Sequence, residues 1–302
     1  MPDDLLTIVT GASSNHFGCL RNLLTSLDRY EDARVLVYDL GLDETEAQSL
    51  RDDGRSLARF PFEQYPPHFG PAASFAFPYA WKVVIIHDAL EAAGHPVLWL
   101  DAGNLVHERL QREREQLLSV GFYSPVSPGT IADWTHPLTL ERLGAAPEIL
   151  GDRNRTGSTV GFGTNRFARA LAADWRAAAM DPATCFPEGW SRRTHRSDQA
   201  LLSVLVAQAR RRQPLTLADS YFGISVQNDA ATPEQAARLM AMTAQEVRRE
   251  RRAAARGNQP LQTRAAPRPK KRKTKRKRRG LARLWHRLAK RLRRLRGASA
   301  GG

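Results

Sequence analysis

The chain has 302 residues, 42% of them hydrophobic and 25% charged, enough apolar side chain for one substantial α/β core plus an appendage. Its formal net charge of +15 is segregated: residues 248–302 hold 23 of the 46 basic residues and one of the 31 acidic ones, a net of +22, and residues 1–247 carry a net of −7. The body is therefore a mildly acidic globule and not a basic protein, and Cys19 and Cys185, in no CxxC or Cys/His array, argue against a disulfide framework or structural zinc.

The opening MPDDLLTIVTG is acidic with a very short apolar run, so no signal peptide is expected. No window approaches the roughly 18 apolar residues of a membrane span, and the body is expected to be cytoplasmic. Residues 5–10 (LLTIVT) are predicted as a first strand and 11–16 (GASSNH) as a polar loop at its C-terminal end. Residues 17–30 space Leu20, Leu23, Leu24 and Leu27 as a helix does. Residues 34–38 (RVLVY) read as a second strand ending at Asp39, 45–51 as a helix, and 58–62 as a third strand. Residues 64–79, rich in Pro, Gly and aromatics, read as an irregular crossing loop.

The most informative stretch is 81–104, WKVVIIHDALEAAGHPVLWLDAGN, predicted as an amphipathic helix, a short strand and an acidic loop. The run Val97–Leu100 is continuously apolar between Pro96 and Asp101, as a buried parallel strand should be. Farther on, 121–126 and 159–163 are candidate strands, and 166–180, 197–211 and 233–255 candidate helices. This alternation predicts an α/β fold with a mostly parallel sheet and helices on both faces. A dinucleotide-type fold is compatible with it, but no GxGxxG follows the first strand.

The segments TGASSNHF (10–17), VYDLGLD (37–43), FPFEQYPPHF (60–69), YAWKVVIIHDAL (79–90) and VLWLDAGN (97–104) come in an order that resembles a group of uncharacterised glycosyltransferase-like proteins. These have the GT-A, Rossmann-like, nucleotide-sugar-binding fold and include DUF1647-like proteins. The resemblance covers about residues 5–230. It implies donor binding between the first strand's end, the Tyr38–Asp39 edge and the Asp101 loop. It also implies a divalent cation, Mn²⁺ or Mg²⁺, at that loop. Here the chain departs from the pattern: the usual Asp-X-Asp is Asp101-Ala102-Gly103, and the second carboxylate is missing, so either Asn104 and diphosphate oxygens complete the coordination, or the metal is weakly held, or the enzyme does without it.

Asp101, at the C-terminal end of a strand, sits where open α/β sheets bind ligands. A hard cation on its oxygens would neutralise a diphosphate leaving group. Its alternative reading is a loop carboxylate or helix cap that contributes little to packing. Asn104 either helps there or stabilises the turn. Thr10, Gly11, Ser13, Ser14, Asn15 and His16 form a small, hydroxyl-rich loop before a helix N-terminus, suited to a nucleotide phosphate or simply to capping. Asp39 is placed to bond a base or ribose, or to stabilise its own turn. Lys82 is a compact cation within reach of a diphosphate, and Trp81 a packing anchor. The glycine-rich run 157–163 resembles the strand that lines the sugar and acceptor side. Asp198, in an Asp-Gln pair opening a helix, is expected to hold sugar hydroxyls or stabilise a cationic transition state, or else to cap the helix. His195, Asp219 and Asp229 are lesser candidates.

Residues 281–296, LARLWHRLAKRLRRLR, align Leu281, Leu284, Trp285, Leu288, Leu292 and Leu295 on one stripe that no Lys or Arg enters. Sixteen residues rise only about 24 Å and carry too much charge to span a bilayer, so a helix lying on an anionic membrane surface is predicted. The preceding KKRKTKRKRR adds attraction to anionic lipid. Nucleic acid is the weaker candidate, because it does not require the apolar stripe. The expected organisation is a nucleotide-sugar-binding domain over 1–247, a basic linker over 248–280 and a membrane-surface helix over 281–297. The expected function is transfer of a sugar from a nucleotide-sugar to a lipid-linked or surface-polysaccharide acceptor at the cytoplasmic membrane face. The alternative is a non-catalytic, membrane- or nucleic-acid-tethered binding module on a degenerate transferase fold.

Overall fold

The computed structural model describes residues 5–70, 79–226, 228 and 233–249. Its central sheet is built from β1 (Thr7–Ala12), β2 (Arg34–Asp39), β3 (Ser56–Arg59), β4 (Val97–Leu100), β6 (Phe122–Tyr123) and β9 (Thr159–Phe162), in the order β3-β2-β1-β4-β9-β6. The first four strands are mutually parallel, and β9 runs antiparallel to both β4 and β6. The sheet is thus mostly parallel, as the alternation predicts, but β4 is flanked by a parallel strand on one side only. Two small hairpin-like pairs stand outside it: β5 (Leu105–Val106) with β10 (Ile224–Ser225), and β7 (Val126–Thr130) with β8 (Arg153–Arg155).

Side chains alternate across the strands and each face is covered by helices. Val9, Val97, Trp99, Val160 and Phe162 point toward α3 (Ala80–Ala93), α7 (Arg166–Met180) and α9 (Ser197–Arg212). Ile8, Leu98 and Leu100 point the other way, onto Leu23 and Leu27 of α1 (Phe17–Tyr30) and Leu117 of α4 (Gln111–Ser119). The helix α2 (Glu44–Asp52) packs Leu50 beside Leu20 and Leu24 of α1. It starts at a capping box, where Asp43 accepts from Glu46 N and Glu46 accepts from Asp43 N.

The α3 helix is not amphipathic. Nine of its fourteen residues are buried, including Trp81, Lys82 and the run Val83–Ile86. It lies between the sheet and α7 and α9, so every residue from Ala80 to Ile86 is buried and only its far end, at Asp88, Glu91 and Ala92, meets water; Gly94 in the left-handed region closes it. This burial decides the chemistry at Lys82.

Several boundaries differ from the sequence reading, each for a local reason. β1 continues through Gly11 and Ala12, which pair with Tyr38 and Asp39, so only Ser13 onward is loop. β3 ends at Arg59 because Pro61 has no N–H for a ladder. Phe60, Phe62, Tyr65 and Phe69 instead stack on one another at centroid distances of 4.8–5.0 Å. The candidate strand 121–126 is split between β6 and β7. α4 and the short helices α5 (Ile131–Trp134), α6 (Pro137–Arg142) and α8 (Pro182–Cys185) lack a long apolar period and escape the pattern. The last predicted helix is broken: α10 (Pro233–Ala241) stops, and Thr243 exchanges hydrogen bonds with Glu246 to start a new turn over 244–249. There Val247 is buried and Arg248 donates to the carbonyls of Phe222 and Ile224, so contacts of the body reach past residue 247. The tail helix at 281–297 lies outside the described residues. Among the described residues no helix is long and apolar enough to cross a membrane.

Much of the glycine-rich run answers to packing. A Cβ on Gly163 would lie 2.3 Å from the Leu117 carbonyl oxygen, and one on Gly161 would lie 2.8 Å from Leu117 Cδ2. Both let β9 pass close beneath α4. Only the start of the run, Gly157 and Ser158, belongs to the site described next.

Candidate active site

The strand order reverses at β1: β2 and β3 lie on one side, β4 and the later strands on the other. Open α/β sheets bind ligands in the crevice beyond the carboxyl ends of the strands at such a switch point. A cavity of about 240 Å³ opens there. Gly11, Ala12, Ser13 and His16 wall it from the β1 side, Tyr79, Trp81 and Lys82 from the start of α3, and Trp99, Asp101 and Asn104 from the end of β4. Leu40 and Ser158 complete it.

At its floor lies a three-charge cluster. Lys82, only 4% exposed, brings Nζ to 2.8 Å from Asp101 Oδ1 and 3.6 Å from Asp198 Oδ2, and donates to the Gly157 carbonyl at 3.1 Å. Trp99 Nε1 donates to the same Asp101 Oδ1 at 2.6 Å. The Asp198 contact is an ion pair beyond hydrogen-bond length, and Asp198 Oδ2 has no hydrogen-bond partner among the described residues. Burial works against the charge on Lys82, but Asp101 and Asp198 outweigh it and hold the ammonium above the ordinary lysine value. Burial raises the Asp198 carboxyl, Lys82 opposes that, and Asp101 adds to it. The rings of Tyr79 and Trp99 lie 5.3 and 5.7 Å from the ammonium and add a weaker attraction.

The predicted residues divide in two. Gly11, Ser13, Lys82, Asp101 and Asn104 are brought together on the cavity wall. Asn104 is also a brace: it is fully buried, and its amide donates to Ser158 O and Thr159 Oγ1, tying the β4 loop to β9. Thr10, Asn15, Asp39 and Asp198 are not on the wall. Thr10 is buried in β1 with no partner for Oγ1 among the described residues. Asn15 accepts from Ser13 at 2.6 Å and bonds His16 at 2.9 Å, so these side chains satisfy one another and none caps α1. One Asp39 oxygen accepts from Gly41 N and Leu42 N at 2.8 Å each, the turn-stabilising role.

Asp198 lies behind Lys82, 3% exposed, and reaches the cleft only through the ammonium. It does not cap α9, whose N-cap is Arg196 with no side-chain cap bond. Two features let it sit there. Ser197 takes φ +41°, a left-handed conformation costly for a residue with a Cβ, and accepts from Trp190 Nε1. Gly157 has no Cβ where one would meet Asp198 Oδ2 at 2.8 Å. Its neighbour Gln199 is tied to Ser127 Oγ. Of the lesser candidates, Asp219 pairs with Arg155 at 2.9 Å, and Asp229 lies outside the described residues.

Tyr79 and Trp99 were missed in sequence, while Gly157 and Ser158 were read only as the start of the glycine-rich run on the sugar and acceptor side. Trp99 read there only as apolar bulk in a strand, yet its indole N–H needs a partner when buried and finds the carboxylate two residues on. Gly157 and Ser158 come near the Asp101 loop only after β9 folds against β4, and Tyr79 comes with the start of α3.

The donor set does not fit a divalent cation held by the protein. Among the described residues no three His, Cys, Asp or Glu side chains converge on one point. Gly103 supplies no side chain, and one Asp101 oxygen already takes two donors.

Compared with known proteins, the chain matches no family model and no curated protein, so the finer resemblance to DUF1647-like proteins finds no counterpart. Among solved structures it is similar to the galactosyltransferase LgtC in complex with donor and acceptor sugar analogs, at 16% identity and a TM-score of 0.42, over 66% of this chain and 70% of that one. It is likewise similar to an active-site mutant of LgtC, at 16% identity and a TM-score of 0.40, over 66% and 69%. A likeness of this degree assigns no residue and no reaction.

His195 is structural. It is buried, accepts from the His136 N–H through Nδ1 at 3.2 Å, and faces the Cys185 carbonyl with Nε2 at 3.2 Å. Burial, only partly opposed by that carbonyl, pulls its pKa down to about 4. The folded chain therefore holds it neutral where the unfolded chain protonates it. Stability should fall as pH drops from about 6.5 toward about 4, by up to roughly 3 kcal/mol from this residue. In urea unfolding between about pH 7 and about pH 4.5, His195→Gln should flatten that loss; an equally steep loss would contradict a neutral buried imidazole.

Proposed function

We propose that this chain is a nucleotide-sugar-dependent glycosyltransferase of the GT-A type, with the donor's diphosphate seated over Lys82 and Asp101. The observation that carries the reading is the buried Lys82 ammonium, paired at 2.8 Å with a cleft-facing carboxylate at the sheet's switch point. Structural ion pairs seldom place a fully buried lysine at the floor of a ligand cleft, because its desolvation is repaid only by close counter-charges. A small-residue strand end at Gly11–Ser13 admits a nucleotide close to the backbone, and Tyr79 and Trp81 offer flat faces to a sugar or base. The binding-module alternative rests only on the missing second carboxylate at Gly103, and the buried ammonium of Lys82 on the cleft wall favours the transferase reading over it.

In this reading Asp101 fixes Lys82 and the donor at the cleft, and Asp198 holds the ammonium charged from behind. Asp198 is then a positioning residue and not a contact to the sugar. The acceptor is carbohydrate, lipid-linked or part of a surface polysaccharide. The tail over 248–302 carries the body to the inner face of the membrane through the leucine and tryptophan stripe of 281–297, and the apolar pattern is what supports this over nucleic acid.

Asp101→Asn should lower turnover of the preferred UDP- or GDP-sugar by about 100-fold or more, measured where the variant is folded. It should also cost about 1–2 kcal/mol of stability, less than a fully buried pair would, because the Asp101 side chain is 38% exposed and Asp198 remains. Undiminished turnover would remove Asp101 from the chemistry.

Replacing Leu284, Trp285 and Leu288 with Ser keeps every positive charge of the tail. That variant should bind anionic vesicles weakly and only at low salt, whereas the parent resists salt. Equal, salt-resistant binding by both would overturn the membrane-helix reading.

A further inference from the structure

A divalent cation at Asp101 would be left with Oδ2, because Oδ1 is already in use. Asp101 Oδ1 accepts from Lys82 Nζ at 2.8 Å and from Trp99 Nε1 at 2.6 Å. Where a second carboxylate would stand, the chain has Gly103. Asn104, the next oxygen-bearing side chain, is held by its amide nitrogen to Ser158 and Thr159, and its Oδ1 is buried with no partner among the described residues. Lys82 itself is part of the cleft wall. From behind, its ammonium is braced by the Gly157 carbonyl at 3.1 Å and by Asp198 Oδ2 at 3.6 Å. The bare Cα of Gly157 is what lets that buried carboxylate come so near. An ammonium and a divalent ion on one carboxylate repel each other, and the Lys82 end of this contact is shielded from water.

We propose that Lys82 takes the place of a divalent cation at Asp101, and that the cleft binds its diphosphate against this fixed ammonium with no metal ion. The identity of the anion rests on the nucleotide-sugar reading; the exclusion of the metal rests on the Lys82 geometry alone. An ammonium keeps two hydrogen bonds to the protein here, to Asp101 and Gly157, and its remaining N–H is the group that meets a phosphate oxygen. Asp198 supplies the counter-charge that keeps it ionised in the interior.

The test uses the full chain and Mn²⁺ alone, titrated calorimetrically and by electron paramagnetic resonance. Wild type should take up no Mn²⁺ that Asp101→Asn abolishes. Lys82→Gln leaves the ammonium's place open to oxygens of Asp101, Asp198, Gly157 and the new side-chain amide, and should gain one Mn²⁺ site there. Because Lys82→Gln leaves Asp198 without its counter-ion, Lys82→Gln/Asp198→Asn is the companion variant that keeps the fold, and it should gain the same site. In each, adding Asp101→Asn should remove it. Mn²⁺ uptake by wild type through Asp101, or no uptake by the folded double variant, would overturn the proposal.

UDP and GDP are then titrated into wild type in EDTA and in Mn²⁺, and Kd should differ by less than about threefold. Nucleotide binding that vanishes in EDTA would also overturn the proposal. Absence of nucleotide binding in both buffers would sink the nucleotide-sugar reading, and the Mn²⁺ titrations would still decide whether Lys82 excludes the metal.

Discussion

A lysine ammonium taken out of water is tolerated only where counter-charges and carbonyls replace its hydration, and in this chain that requirement falls on Lys82. Its helix, α3, is buried throughout residues 80–86, so the side chain has no route to solvent except the cleft. Three segments far apart in sequence must meet it: the end of β4 with Asp101, the entry to β9 with Gly157, and the start of α9 with Asp198. The local oddities of the site follow. Ser197 is held in the left-handed region, Gly157 lacks a side chain where Asp198 must pass, and the Trp99 indole shares the Asp101 oxygen. Each is costly or unusual alone and is accounted for by the charge they surround.

The sheet topology makes the same point from the other direction. Crossing from β3 back to β4 beside β1 opens a crevice whose two lips are strand ends. One lip is Gly11–Ser13, small and uncharged; the other is Trp99–Asn104, charged and braced to β9. A ligand bridging them meets backbone on one side and a paired ammonium on the other. That asymmetry suits a molecule with a flat or sugar-like part and a polyanionic part, which is why the nucleotide-sugar reading fits the cleft better than a small neutral ligand does.

Much of the architecture was legible in sequence because it depends on periodicity. The helices α1 and α7 and the strand β4 lie where apolar spacing puts them. What failed had competing local chemistry, such as the proline that ends β3 and the Thr243–Glu246 cap that breaks the last helix. At the site, Asp101 and Lys82 were readable from a motif and a helix start, but their contact was not, since nothing in the spacing says that α3 is buried all round at its start. Asp198 was readable as a candidate and misplaced in depth. Its carboxylate looks like a helix cap or a sugar ligand in one dimension, and only the packing of α9 against α3 puts it behind the lysine. Asp39 shows the converse: a carboxylate at a strand end is equally a turn former, and here it forms the turn.

The account stands on Lys82 being charged and ion-paired inside the protein. Heteronuclear NMR of the Lys82 side-chain nitrogen, followed through an alkaline titration, measures this directly. The account predicts an ammonium signal in slow exchange with water that persists above the ordinary lysine value of 10.5, where a solvated lysine side chain has lost its proton. A Lys82 that loses its proton below that value, as an unpaired buried amine does, would contradict it.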